Sequence, residues 1–214
     1  MDLLSGNFLP LYIYLIIMKR IVHLILFFFI SQFFFSQKNI YTNDTIKSID
    51  KYIEDFVLSN KGRNNIDKDF QNFNGINLDG SNYSSLENTK ITFYNFWFTT
   101  CTPCVLELPM LNELKTKYNN KVDFIAVTFE EKKDIEVFLK KFEFNFQHVR
   151  MKKNEISSLF FTNGYPTTII VNNGKIVYCY YGGPGDKNSK YYEPLIKKLH
   201  KEYEDVLNYN LNLE

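Results

Sequence analysis

Cysteine is scarce in this chain: three in 214 residues. An odd number this small excludes a framework of several bridges. Net charge is nearly absent too, since 25 Lys and Arg against 24 Asp and Glu leave +1. No global field therefore recruits nucleic acid or an acidic surface. There is no glycine-rich nicotinamide-binding motif and no apparent internal repeat. Zinc needs a second ligand pair at suitable spacing to go with Cys101 and Cys104, and none exists. No His follows Cys104, which excludes covalent haem attachment. What the chain does have is aromatic: 21 Phe, 15 Tyr and 1 Trp, or 17% of residues, within an ordinary hydrophobic content of 45%. The length allows one domain of usual size plus extras.

The stretch Ile91 to Pro109, ITFYNFWFTTCTPCVLELP, organises the rest. Ile91, Thr92, Phe93, Tyr94, Phe96, Trp97 and Phe98 have the composition of a strand buried on both faces. Pro103 stands near a helix start, where its missing N–H costs nothing. Leu106, Leu111 and Leu114 then give a core stripe at helical spacing. Cys101 and Cys104, two residues apart at that helix start, can close a small disulfide. Free backbone N–H groups and the helix dipole favour a negative charge at Cys101, so its pKa can fall from about 8.5 to roughly 3.5–7.5. This is redox chemistry, with a zinc half-site and an unreactive bridge as the bland alternatives.

Ahead of that stretch, Lys19 and Arg20 precede the apolar run Ile21 to Phe35 and then Ser36-Gln37, the order of a secretory signal. Residues 1–37 are expected to be a signal peptide or signal anchor. Met18-Lys19-Arg20 is the more usual beginning for one, with residues 1–17 as upstream sequence; the apolar Phe8 to Ile17 is too short to span a bilayer. Either fate, cleaved or retained, puts the rest outside the cytoplasm, where disulfides persist. Residues 38–69 read as an extra helix and a linker: Ile46, Ile49, Ile53, Phe56 and Val57 share one helical face, and Ser59 to Lys68 is polar.

Residues 70–214 read as the main domain. Phe70 to Leu86 looks like a hairpin with turn signals at Asn74-Gly75 and Asp79-Gly80. Val122 to Thr128 is a buried strand. Glu131 to Phe142 is a helix with Ile135, Phe138, Leu139 and Phe142 inward. A short strand (Phe144 to Arg150) and a short helix (Glu155 to Phe161) follow. Thr167 to Val171 and Lys175 to Tyr181 are strands joined by Asn172-Asn173-Gly174, a strong hairpin signal. Ser189 to Leu207 is an amphipathic helix using Leu195, Ile196, Leu199, Tyr203 and Val206. The alternation predicts an α/β sandwich with a mixed sheet.

The motifs Asn95-Phe96-Trp97, Cys101-Thr102-Pro103-Cys104, Glu107, Pro109 and Gly164-Tyr165-Pro166-Thr167-Thr168 resemble the thioredoxin-fold thiol-disulfide oxidoreductases, in particular their exported or membrane-tethered TlpA/ResA-like branch. The likeness runs from about Phe70 to Leu207. It implies a thioredoxin-like three-layer sandwich with a central mixed β-sheet, here with an N-terminal hairpin and an extra N-terminal helix. It also implies that Pro166 is a cis-proline lying against the dithiol, with Tyr165 offering its backbone to a substrate segment.

In that frame Cys101 is the nucleophile and Cys104 the resolving thiol. Thr102 and Pro103 tune the potential, and Trp97, Thr102, Pro103, Tyr165 and Pro166 are the implied substrate-binding residues. The first cysteine should be exposed and the second more buried. Thr100 departs from the family, where a Trp is usual. Glu107 lies one turn after Cys104 and leans back toward it; it can take the proton from Cys104, against a bland reading as a solvated helix residue. Asn95 replaces the buried Asp of cytoplasmic thioredoxins. Pro109 is expected to kink the redox helix, while Cys179 and His148 read as structural.

No cofactor is expected beyond the Cys101–Cys104 redox disulfide. The partners implied are protein thiol or disulfide clients, apocytochromes c among them, and a membrane thiol electron donor. Two competing readings remain. A thiol peroxidase expects Thr three residues before the reactive Cys, where Phe98 stands, and a non-enzymatic interaction module would not need both cysteines.

Overall fold

The computed structural model describes residues 9–37, 43–88 and 90–212. Expectations for residues 1–8 and 38–42, including part of the targeting segment, lie outside the described residues. Two compact units divide the chain, Met1–Ser48 and Ile49–Glu214.

In the first unit, α1 (Leu9–Gln37) runs as one helix through the expected apolar core of the signal. Its side chains from Ile21 to Phe29 are exposed. Among the described residues no helix is long and apolar enough to cross a membrane. Helix α2 (Asn43–Asn60) follows. Ile49, Ile53 and Val57 are buried as expected, but Ile46 is exposed and Phe56 only half-buried, so the buried stripe is narrower than the apolar pattern.

The second unit is built on a seven-stranded mixed sheet. Its strands are β1 (Asn74–Asn77), β2 (Asn82–Ser84), β3 (Ile91–Phe96), β4 (Val122–Thr128), β5 (Gln147–Arg150), β6 (Thr167–Asn172) and β7 (Lys175–Tyr181), in the order β2-β1-β5-β4-β3-β6-β7. β3 lies between parallel β4 and antiparallel β6. All six of its residues are buried, which is why its sequence is apolar rather than alternating. The remaining helices are α3 (Thr102–Tyr118), α4 (Lys132–Leu139), α5 (Lys153–Ser158) and α6 (Tyr192–Leu211).

Side chains alternate across the sheet into two cores. Phe93, Trp97, Phe124, Ala126, Ile170, Tyr178 and Tyr180 pack with residues of α2, α3, α4 and α6. Tyr94, Phe96, Ile125, Val127, Ile169, Ile176 and Cys179 pack with Ile156 of α5 and with Phe70, Phe73 and Phe161. Helices on both faces of a mixed sheet make the three layers expected.

Three expectations are corrected. Asn74-Gly75 is not a turn but the start of β1, and only Asp79-Gly80 lies between the strands. A Cβ on Gly75 would lie 2.4 Å from Val149 Cγ1 and 2.9 Å from the Arg150 carbonyl, so glycine is there to let β5 approach. Gly75→Ala is expected to cost about 1–3 kcal/mol, measured by urea unfolding, because Val149 is fully buried. Next, α4 ends at Leu139 and Phe142 is exposed, stacked on Phe138 with ring centroids 4.7 Å apart.

The third correction concerns Ser59 to Lys68, which is not a free linker. Lys61 bridges Tyr180, Gly62 N donates to the Cys179 carbonyl, Asp67 N donates to Ile176, and Ile176 N donates to Lys68. This strap closes the outer edge of β7, an edge that would otherwise present unpaired backbone groups. The Asn172–Lys175 hairpin turns as expected, with Asn173 and Gly174 both at positive φ (50° and 72°), the pair of left-handed residues that a type I′ turn needs.

Candidate active site

Strand β3 delivers the chain directly to the site. Trp97 N still donates to Val127, extending the parallel pairing by one residue, and Cys101 N donates to the Phe98 carbonyl in a turn. Cys101 is the N-cap of α3: its Sγ accepts from Cys104 N at 3.3 Å and its carbonyl accepts from Val105 N. The sulfur thus sits where unpaired N–H groups favour negative charge. Cys101 and Cys104 form a disulfide with Cα atoms 5.2 Å apart. Pro109 lies within α3, which continues past it to Tyr118.

The expected exposure contrast between the cysteines is corrected. Cys101 is only 4% exposed and Cys104 1%. The apolar core takes in both sulfurs, and the accessible surface is made by their neighbours. Thr100 and Thr102 are exposed, while Phe98, Pro103, Phe129 and Tyr165 are half-buried. Tyr165 stands edge-on to Phe98 and Phe129, with centroids at 5.3 and 5.6 Å.

The Tyr165–Pro166 bond is cis, and Pro166, some sixty residues on in the chain, is brought beside the motif. A point at the Cβ position of Gly183 lies 3.4 Å from both Pro103 Cβ and Pro166 Cγ. Trp97 is corrected as a substrate-binding residue: it is fully buried, packed against Phe138, Phe144 and His148, so it supports the site from below.

Glu107 is not a solvated helix residue either. It is completely buried on the face of α3 that also buries Cys104, Leu108 and Leu111. Its Oε1 accepts from Asn95 Nδ2 at 2.9 Å. Burial pushes the carboxyl up to about 8, and the Asn95 bond only partly opposes this. His148 is held as a structural residue, bonded to the Phe144 carbonyl at 3.0 Å and pushed down to about 4 by burial.

Sequence reasoning missed Glu130. Its carboxylate accepts from Thr99 N and Thr99 Oγ1, each at 2.7 Å, and so fixes the loop entering Cys101. Only the fold brings residues 31 apart together, and no local motif marks the pair. Among the described residues no cluster of His, Cys, Asp and Glu could hold a metal ion.

The sequence model of a family described as Thioredoxin-like matches residues 88–177. The thiol-disulfide oxidoreductase ResA of Bacillus cereus (strain ATCC 10987 / NRS 248) is 31% identical over 147 residues, 66% of this chain and 83% of that protein. ResA of Geobacillus thermodenitrificans (strain NG80-2) is 30% identical over 142 residues, 64% of this chain and 72% of its own length. The chain belongs to the ResA-like thiol-disulfide oxidoreductases. A solved thiol:disulfide interchange protein from Bacteroides sp. shares the fold at a TM-score of 0.51 and 20% identity, over 64% of this chain and 88% of its own. The protein is therefore a thioredoxin-like thiol-disulfide oxidoreductase. Its cysteine pair is the disulfide at the tip of α3.

Proposed function

We propose that this oxidoreductase works outside the cytoplasm as a reductase of protein disulfides. Cys101 is the attacking thiol, Cys104 the resolving thiol, and Glu107 the group that takes the resolving proton. The reading rests chiefly on a dithiol pair capping a helix with a wholly buried carboxyl one turn behind it. The Cys101 thiolate attacks one sulfur of a client disulfide, forming a mixed disulfide and releasing the other client sulfur as a thiolate. Cys104 then gives its proton to Glu107 and attacks Cys101 Sγ. That step forms the Cys101–Cys104 bond and frees the second client thiol, so two electrons pass to the client.

Glu107 accepts a proton only as the carboxylate, so resolution is expected to quicken as pH rises toward about 8. Thr102, Pro103, Tyr165 and Pro166 bind the client, a segment of which lies along the Tyr165 backbone. A membrane thiol donor returns the two electrons, and no further cofactor takes part. Export follows from Lys19, Arg20 and the apolar run after them. Whether that run is kept as a tether is read from the mass of the exported protein. Apocytochromes c, with paired cysteines awaiting haem, are one client class that fits.

The test is Cys104→Ala in the native cell. Mixed disulfides to exported, disulfide-bearing proteins should accumulate on Cys101. Recovery of only unlinked variant, alongside wild-type clients that stay reduced without this protein, would sink the reductase reading.

A further inference from the structure

Besides the Asn172–Asn210 pair, bonded at 3.1 Å, the layer between the sheet and helices α3 and α6 holds a row of buried polar side chains. Asn95 of β3 is in register with Thr168 of β6, and Thr168 with Tyr180 of β7. Cross-strand partners project to the same face of a sheet, so the three side chains stand side by side. Glu107 reaches them from α3 and Tyr203 from α6, within the same core. Tyr203 is held edge-on to Phe93 and Tyr178, with centroids at 5.3 and 5.5 Å. Every member of the row is at most 1% exposed.

The hydrogen bonds inside this row are incomplete. Asn95 Nδ2 donates to Glu107 Oε1 at 2.9 Å and to Thr168 Oγ1 at 3.3 Å. Among the described residues six buried polar side-chain atoms have no hydrogen-bond partner, and besides Trp97 Nε1 and His148 Nδ1 these are four atoms of this row: Glu107 Oε2, Asn95 Oδ1 and the hydroxyls of Tyr180 and Tyr203. One such atom left bare costs about 1–3 kcal/mol, so four in one layer are not left bare by chance. Their chemistry is complementary, with two phenolic donors against two oxygen acceptors. A water molecule is the group small enough to join them, and it needs two to four polar partners. Burial first, and then the charge of Glu107, raises both phenols above their ordinary range, with Thr168 beside the Tyr203 hydroxyl partly opposing this. Both hydroxyls therefore lie within electrical reach of the carboxylate and stay protonated as donors.

We propose that Tyr180 and Tyr203 are positioning residues for Glu107, whose hydroxyls, through a bound water, hold the free oxygen of its carboxylate. The assignment deepens the proton-accepting role given to Glu107 above and rests on that reading for its importance to turnover. No covalent or electron-transfer step is involved. The charged groups facing Glu107 are few. The Cys101–Cys104 pair shares its helix, Tyr180 faces it from β7, and Tyr203 faces it from α6. Glu202 is the residue before Tyr203 on α6 and its charge acts on both phenols; it accepts from Tyr178 at 2.9 Å and is paired with Lys61 at 2.9 Å and Lys198 at 3.8 Å. With that charge neutralised at the surface, the hydroxyls are what remain to support a negative Glu107.

The experiment is an isotope-edited infrared titration of the Glu107 carboxyl in the full chain, with Tyr180→Phe, Tyr203→Phe and the double variant. Removing the donors should raise the proton affinity of the carboxyl by about tenfold in the double variant and less in each single one. Glu107→Gln identifies the band. A midpoint unchanged in both single variants and in the double overturns the proposal. Should the double variant not fold, the two single variants decide. A crystal structure of the wild type provides a second arm. A water bonded to Glu107 Oε2 and both hydroxyls supports the assignment, and a dry layer overturns it. The role of Glu107 itself is read separately: if Glu107→Gln leaves the pH profile of thiol exchange unchanged, that role fails while the infrared result still judges the tyrosines.

Discussion

Cys101→Ser is expected to abolish thiol exchange, with a fall of about a thousandfold or more against a disulfide substrate. The reason lies in position rather than in the number of sulfurs. Cys104 remains in that variant, but it is one turn into α3 and 1% exposed against 4% for Cys101. Cys101 lies between exposed Thr100 and Thr102 and is the helix cap, so its sulfur receives the Cys104 N–H. Serine keeps the cap, since its hydroxyl also accepts that bond. Thermal unfolding of the variant should therefore stay close to that of the reduced wild type while exchange is lost. Exchange surviving at a tenth of the wild-type rate would mean that Cys104 or Cys179 attacks clients directly.

Glu107 is expected to make the fold less stable as the solution becomes more alkaline, over a window set by its own proton. In the unfolded chain the carboxyl ionises near 4.5, while in the fold burial holds the proton to about 8. Between those values the unfolded state has released a proton that the folded state keeps. Stability therefore falls as pH rises through the window and levels off above about 8. The full effect is on the order of 5 kcal/mol at 1.36 kcal/mol per pH unit. Glu107→Gln keeps a side chain able to accept the Asn95 bond and cannot ionise, so its unfolding free energy should lose this slope. Urea unfolding of both proteins at a series of pH values between 5 and 8.5 measures the difference. Parallel curves would show that Glu107 ionises freely in the fold.

The same carboxyl marks where the sequence was readable and where it was not. Its spacing from Cys104 put it on the dithiol face of the helix, but nothing local says that α6 seals that face. The tyrosines that complete its surroundings come from β7 and α6, whose residues read as ordinary core. The strands β3, β4, β6 and β7 were plain because buried apolar runs and an Asn-Gly turn are local signals. Asn74-Gly75 misled because its glycine answers to Val149 across the sheet, not to a turn. Ser59 to Lys68 misled for a related reason. Its polar residues dock through backbone groups, which leave no trace in side-chain pattern. Glu130 was invisible because its partner, Thr99, is a tertiary neighbour alone.

That docked segment has a consequence for a protein that trades in sulfur chemistry. Gly62 lies so close to the odd thiol that even one added carbon would sit 2.2 Å from the Cys179 sulfur. Burial pushes that thiol up in pKa, keeping it in the unreactive protonated form. The third cysteine is thus locked away from the very oxidants and mixed disulfides that pass over Cys101. That leaves Cys104 as the sulfur with which Cys101 pairs.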